Sequence, residues 1–518
     1  MLVGGAAAAL VASTLSVSSA SGAASSTTWS GPASYVPLRN AVQAGGLDTR
    51  FGNVDYNGGA VMPTNTDYLV FWSPKGLSAY GSGAATPEYV TGLEQYFKDL
   101  AQASGTDHST DSVATQYNDL TGATVHFRTT FGGAFVDTDP YPMSKCPVHS
   151  PVTHCVTDPQ IQQELEKVAA AHHVTLDLSH EFFLLTPPHV ESCFSGNASA
   201  TPPFGGCSAG ELPSGLEAYC AYHGNTSLSP MLFYANDPFV TGNAGCDDGN
   251  HPNGPSDGAL EGGLSHEHNE SITDPIPNDA WTNGAGANHG LENGDQCEGH
   301  MGTALGTAPN GAKFNQEING HFYWYQEEWS NIGHKCLQRL ALPTSLPTAT
   351  FKVTAGSGLT LKFNATGSTA PGGVADYVWQ FNSANGAQTI EKTAPTITHT
   401  FPSAGAYSVG LTVYASNGAS KGAGGIVRTG HSGFAAGFTS TKSGLTVSFS
   451  GLANVSAKPV KTYLWEFGDG HTGSGRTPKH AYAKAGTYTV KVVEFSGVGS
   501  AFPGAGAAPI FAKAINVS

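Results

Sequence analysis

The sequence predicts an α/β (α+β), disulfide-linked N-terminal domain followed by two small β-sandwiches, and three observations carry that prediction. All eight cysteines fall before residue 340. Upstream of that point, apolar strands alternate with amphipathic helical patterns. Downstream, a pattern of about 85 residues, made of short strands and turns, occurs twice.

In the N-terminal part the first strand is Asp67 to Trp72 (DYLVFW), bounded by Pro63 and by Ser73-Pro74. A helix fits Pro87 to Ala103: Tyr89, Leu93, Tyr96, Phe97 and Leu100 recur at helical spacing, with Lys98 and Asp99 expected to face out. A second helix fits Asp158 to His172, with Ile161, Leu165 and Val168 on one face. It feeds a strand at Glu181 to Leu185 (EFFLL), stopped by Pro187-Pro188. Leu342 to Thr350 (LPTSLPTAT) has no apolar period and reads as a Pro/Thr linker. The expected domains are thus residues 25–341, a linker at 342–349, and sandwiches at 350–429 and 430–518.

Composition narrows the function. Charged residues are 12% of the chain, against roughly 25% in average soluble proteins. The net charge of -16 repels phosphate backbones, which excludes nucleic acid as a partner. Leu2 to Val17 followed by small residues near Ala20 and Ala23 reads as a signal peptide over residues 1–24, although it lacks a basic lead. The chain is therefore expected to be secreted, monomeric and free of membrane once the signal is removed. In that oxidising setting the cysteines should pair. Neighbours in order (Cys146–Cys155, Cys193–Cys207, Cys220–Cys246, Cys297–Cys336) give the simplest connectivity, and the sequence leaves other pairings open.

The repeat is explicit. Tyr377-Val-Trp379-Gln-Phe381 is echoed by Tyr463-Leu-Trp465-Glu-Phe467, and the run from His399 through Gly405 and Tyr407 to Val409 by His480 through Gly486 and Tyr488 to Val490. Both copies resemble PKD domains, the polycystin-type immunoglobulin-like β-sandwich. Trp465-Glu-Phe-Gly468-Asp469-Gly470 fits the module's WxFGDG signature; the first copy departs at Asn382-Ser383. The resemblance implies Trp379 and Trp465 between two sheets and a tight turn at Asp469-Gly470.

The chemistry concentrates in Gly262-Gly-Leu-Ser-His266-Glu267-His268-Asn269-Glu270-Ser-Ile-Thr-Asp274-Pro275. If Asp257 to Thr273 is one helix ended by Pro275, His266 and Glu270 share a face and Glu267 lies one step round. This HExxE pattern is the HExxH metal-hydrolase motif with a carboxylate as second ligand. A third protein ligand is needed, and the turn Glu292-Asn-Gly-Asp295-Gln-Cys297 offers Glu292 or Asp295. The expected site is therefore one zinc per chain held by His266, Glu270 and either Asp295 or Glu292, with Glu267 as catalytic base in a zincin-like domain.

The same segment resembles the secreted phosphate-induced, EXORDIUM-like proteins of plant cell walls and their bacterial relatives. The resemblance runs through His266-Glu267, Glu270, Asp274-Pro275, Ala280-Trp281, Glu292-x-Gly294-Asp295-x-Cys297-Glu298-Gly299, Tyr219-Cys220-Ala-Tyr-His223-Gly224, Tyr56-Asn-Gly58-Gly59 and the DYLVFW strand. It departs at His268-Asn269. It implies export and a shared fold, and lends the hydrolase reading indirect support.

Other residues invite a role and are discounted. His268 points away from the His266–Glu270 face and is expected at the surface or behind the ligands. His223 is expected to close a turn. Phe322 to Tyr325 with Trp329 should be core, and His172-His173 should end a helix. The leading function is a secreted zinc metallopeptidase acting on extracellular protein or peptide, its sandwiches spacing it or docking it on protein or polysaccharide. The alternative is a non-catalytic, wall-associated or adhesive protein whose same residues hold a structural ion.

Overall fold

The computed structural model describes residues 54–56, 59–81, 86–119, 124–125, 127–142, 154–194, 207–208, 219–226, 231–278, 280–282, 291–342, 345–383, 386–392, 394–402, 405–416, 419–429, 438–451, 462–469, 471–495 and 510–517. The expected signal segment, Cys146 and Gly470 lie outside them.

The N-terminal region is organised by a five-stranded sheet. Its strands are β1 (Asn65–Trp72), β2 (Thr129–Asp137), β3 (His180–Thr186), β4 (Tyr222–Asn225) and β5 (Phe233–Pro238), in the order β2-β1-β3-β5-β4. The first four in that order run parallel, while β4 is an antiparallel edge strand paired with β5. Helix α1 (Glu88–Ala103) connects β1 to β2, and α2 (Asp158–Ala171) precedes β3. Both faces are covered, which is why β1 and β3 are near-continuous apolar runs rather than alternating ones. Leu69, Phe71, Phe183 and Leu185 face α1; Val70, Trp72, Phe182 and Leu184 face α2.

Both helices follow their local signals. Pro87 sits at the N-cap of α1. Thr157 and Gln160 form a capping box on α2, each satisfying a backbone amide that the first turn would otherwise leave open. One expectation on α1 is corrected. Asp99 does not face solvent but is 1% exposed, because the segment 319–323 covers that side of the helix: the Tyr323 hydroxyl donates to Oδ2 of Asp99 at 2.5 Å and Asn319 Nδ2 to its carbonyl at 2.9 Å.

The helical stretch after β5 is not the single helix that the sequence pattern suggests. A short α-helical turn, Ser256–Ala259, leads through Leu260–Leu264, which is kinked at Gly263, before α3 (Ser265–Thr273) begins. Gly263 takes φ 143°, a conformation suited to glycine. A Cβ on Gly262 would lie 2.3 Å from Cγ2 of Val240, so the glycine pair also permits close packing on the loop after β5. Asp274 then leaves helical geometry and Pro275 follows.

Disulfides join Cys193 to Cys207, Cys220 to Cys246 and Cys297 to Cys336. Cys155 is also disulfide-bonded. The Cys297–Cys336 bridge ties the turn after residue 292 to the hairpin of β6 (Glu328–Ser330) and β7 (Lys335–Leu337).

Downstream, two sandwiches share one plan. In the first, a three-stranded sheet (Lys352–Ala355, Thr360–Asn364, Thr396–Thr400) packs on a four-stranded one whose edge strand is β8 (Ser420–Thr429). The second repeats this with three- and four-stranded sheets between residues 438 and 517. Trp379 and Trp465 fill equivalent central positions, at 0% and 1% exposure.

Candidate metal centre

Helix α3 is unusual because it is polar yet buried on every side. Such a helix needs internal partners for its charges, and its surroundings supply them. His266 Nε2 lies 2.8 Å from Oε1 of Glu270 and 3.6 Å from Oδ1 of Asp295. The approach to Glu270 lacks hydrogen-bond alignment, and Nε2 has no hydrogen-bond partner. Its other ring nitrogen, Nδ1, is 3.2 Å from Oε1 of Gln326, so Nδ1–H donates there and Nε2 is the nitrogen turned toward the carboxylates. A neighbouring acceptor that fixes the tautomer in this way is the usual support of a metal-binding imidazole.

The Glu292–Cys297 turn brings up the third donor. The backbone N–H of Asp295 donates to Glu270 Oε1 at 2.9 Å, and the N–H of Glu292 donates to Asp295 Oδ2 at 3.0 Å. Gly294 makes this fit possible: a Cβ there would meet His266 Cδ2 at 2.8 Å and Glu270 Oε1 at 2.9 Å. Glu292 turns elsewhere, with Oε2 3.8 Å from Nε2 of His223 and both oxygens without hydrogen bonds. Of the two candidate third ligands, Asp295 adjoins His266 and Glu292 adjoins His223.

His223 departs from its expected role. It projects from β4 into the cluster, 0% exposed. Its Nδ1 is 3.0 Å from Glu267 Oε2 and 3.6 Å from Glu270 Oε2, while Nε2 lies 3.2 Å from the carbonyl of Asp274. Sequence reasoning placed His223 in a turn because it stands next to Cys220 and Gly224; only strand pairing shows that the edge strand lies over α3. Gln326 went unnoticed altogether, and nothing in its local sequence marks it. His268 is corrected as well: it is 0% exposed and pairs with Asp67 and Asp111, because α3 has no solvent face. Of the aromatic residues expected in the core, Tyr323, Trp324, Tyr325 and Trp329 are buried and Phe322 is half-buried.

Electrostatics follow from burial and crowding. Burial by itself would lower His266, but Glu270, Asp295 and Glu267 hold it well above its ordinary value. Burial opposes ionisation of Glu270, yet His266 and His223 draw it down to about 2. Glu267 is pushed up to about 7, by burial first and then by Glu270, with His223 opposing. Burial and the nearby carboxylates of Asp274, Glu270 and Asp295 push Glu292 well up. So many buried carboxyl groups around two imidazoles make an environment that favours a cation. Imidazole and carboxylate donors fit zinc or a similar first-row divalent ion.

Comparison with known proteins bears on the other end of the chain. Residues 344–428 and 434–500 match the PKD domain family. The chain is similar to the PKD1 domain of the Vibrio cholerae metalloprotease PrtV (28% identity over 16% of this chain and 93% of that one, TM-score 0.14). It is also similar to the PKD1 domain of Vibrio anguillarum Epp (23% identity, 16% and 94%, TM-score 0.15). A chitinase, ChiA74 from Bacillus thuringiensis, aligns at 19% identity over 26% of each chain, with TM-score 0.15. No curated protein sequence matches the chain. No helix among the described residues is long and apolar enough to cross a membrane. Disulfides and PKD domains are both typical of extracellular proteins. The C-terminal region of the chain is a pair of PKD domains.

Proposed function

We propose that the N-terminal region is a zincin-like, metal-dependent hydrolase, a secreted zinc peptidase acting on extracellular protein or peptide, with the PKD pair spacing it or docking it on its substrate. The observation that carries this reading is the convergence of His266 Nε2, Glu270 Oε1 and Asp295 Oδ1, with Nε2 lacking any hydrogen-bond partner. Zinc bound there would supply Lewis acidity for cleavage of an amide or ester. The chain's own residues do the rest. Gln326 holds His266 in the ligating tautomer. Glu267, next to Glu270 and raised toward neutrality, accepts a proton from water and returns it to the leaving group. His223 orients the Glu267 carboxyl from β4. The EXORDIUM-like resemblance around His266 supports export and this fold.

The test is Glu267→Gln in zinc-supplemented protein, assayed on casein beside the unaltered chain. Activity should fall roughly 10²-fold or more with metal content unchanged; undiminished activity would remove the reading. A second reading, a structural ion in an adhesive protein, is favoured by the burial of the donors, since the side chains of His266, Glu270 and Asp295 are 1%, 0% and 5% exposed. Stoichiometric metal with no hydrolysis of any substrate would select it.

A further inference from the structure

Behind α3, on the side away from Asp295, lies a second group of buried donors that the hydrolase reading does not use. His268 projects from α3, Asp67 from β1, Glu181 from β3 and Asp111 from the short helix Asp111–Ala114. All four residues are 0% exposed. His268 Nδ1 is 2.8 Å from Asp111 Oδ1, and its Nε2 is 3.2 Å from Asp67 Oδ2. One donor atom each from Asp67, Glu181 and His268 lies within 4.8 Å of the others.

Three features give this group the character of a cation site. First, His268 Nδ1 faces Asp111 Oδ1 at 2.8 Å, a carboxylate placed behind the ring that leaves Nε2 as the nitrogen turned toward Asp67. Second, neither oxygen of Glu181 accepts a hydrogen bond. The Ser271 hydroxyl, near enough to act on Glu181, donates instead to the carbonyl of His268 at 3.1 Å. Third, three carboxyl groups surround a single imidazole, so even a fully protonated His268 leaves negative charge buried. Asn65 closes the group: its amide lies 2.8 Å from His268 Nε2 and 2.7 Å from Asp67 Oδ1, and turned about its Cγ it would present oxygen as a fourth donor. Ligand atoms about 2 Å from a common ion stand roughly 3 Å apart, as Asp67 Oδ2 and His268 Nε2 do.

We infer that Asp67, Glu181 and His268 form a second, structural site for a first-row divalent cation such as zinc or manganese. The ion joins β1 and β3 to the underside of α3 and fixes the rotation of the helix that presents His266 and Glu267. Because its donors are buried, it is acquired as the chain folds. It is independent of whether the His266 centre is catalytic.

The experiment is elemental analysis of the full chain, folded in the presence of ZnCl2 or MnCl2 and then dialysed against metal-free buffer, beside Glu181→Gln, Asp67→Asn and Glu270→Gln. The unaltered protein should hold about two equivalents. Glu181→Gln and Asp67→Asn should each lose one and keep the other, and Glu270→Gln should lose the one they keep. A single equivalent lost in Glu181→Gln but kept in Glu270→Gln would sustain this site while removing the His266 centre. Unaltered protein with no metal, or with one equivalent that Glu181→Gln retains, would overturn the inference. Should Glu181→Gln fail to fold, the stoichiometry of the unaltered protein and of Asp67→Asn decides.

Discussion

The backbone amide of Asp295 donates to Oε1 of Glu270 at 2.9 Å, joining a turn to a helix across 25 residues of sequence. This bond orients both candidate ligands at once, since the same carboxylate oxygen faces His266 Nε2. The turn can approach so closely because Gly294 has no side chain. Gly294→Ala would set a methyl group 2.8 Å from the His266 ring, so either the ring or the turn must shift. Metal affinity should fall at least about tenfold, as for losses of supporting contacts around ligands, with the far-ultraviolet circular dichroism spectrum unchanged. Competition with a chromogenic chelator measures it.

The Cys297–Cys336 bridge closes 39 residues and anchors the same turn to the β6–β7 hairpin. Replacing both cysteines with alanine should lower stability by about 2–5 kcal/mol and weaken metal binding as the turn loosens. Urea unfolding of the two proteins, each with and without added zinc, would show both effects.

Asn118 couples the N-terminal region to the first PKD domain. Its Nδ2 donates to the carbonyl of Ser420 at 3.0 Å, its Oδ1 accepts the N–H of Gly422 on β8 at 2.5 Å, and its carbonyl accepts the indole N–H of Trp281 at 2.8 Å. Asn118→Ala leaves a buried strand edge without its partner and should cost about 1–3 kcal/mol. Scanning calorimetry should show a lower transition temperature and a separation of the PKD transition from that of the N-terminal region.

Asp257 gives a pH dependence away from the candidate metal centre. Burial pushes its carboxyl up to about 7, against hydrogen bonds from Asn253. The unfolded chain releases this proton near pH 4, so between about pH 4 and 7 the folded state holds the extra proton. Stability from this group is therefore lost as pH rises through that window. Asp257→Asn should flatten that part of the profile, gaining stability relative to the unaltered protein at pH 7.5 but not at pH 4. Urea midpoints at the two values provide the check.

The sequence alone specified what depends on local pattern and repetition. The duplicated Trp-x-Phe and Tyr-x-Val segments place residues 352–517 in two sandwiches, because alternation and turn chemistry act over a few residues. The apolar runs of β1 and β3 and the spacing in α1 and α2 lie within a residue or two of the structural elements. Three adjacent cysteine pairs form as ordered in the chain. Tertiary structure decided the rest. Helical spacing tells which residues of α3 share a face, but not that every face is covered, so of the two places expected for His268 only burial behind the helix face holds. It could not show that edge strand β4 crosses α3 and delivers His223, or that Gln326 reaches back 60 residues to hold His266. Nor could it tell Asp295 from Glu292, since both lie on one turn and only the path of that turn against α3 sets which carboxylate meets which imidazole. Periodicity is a property of one element, whereas a binding site is made by the contacts between several.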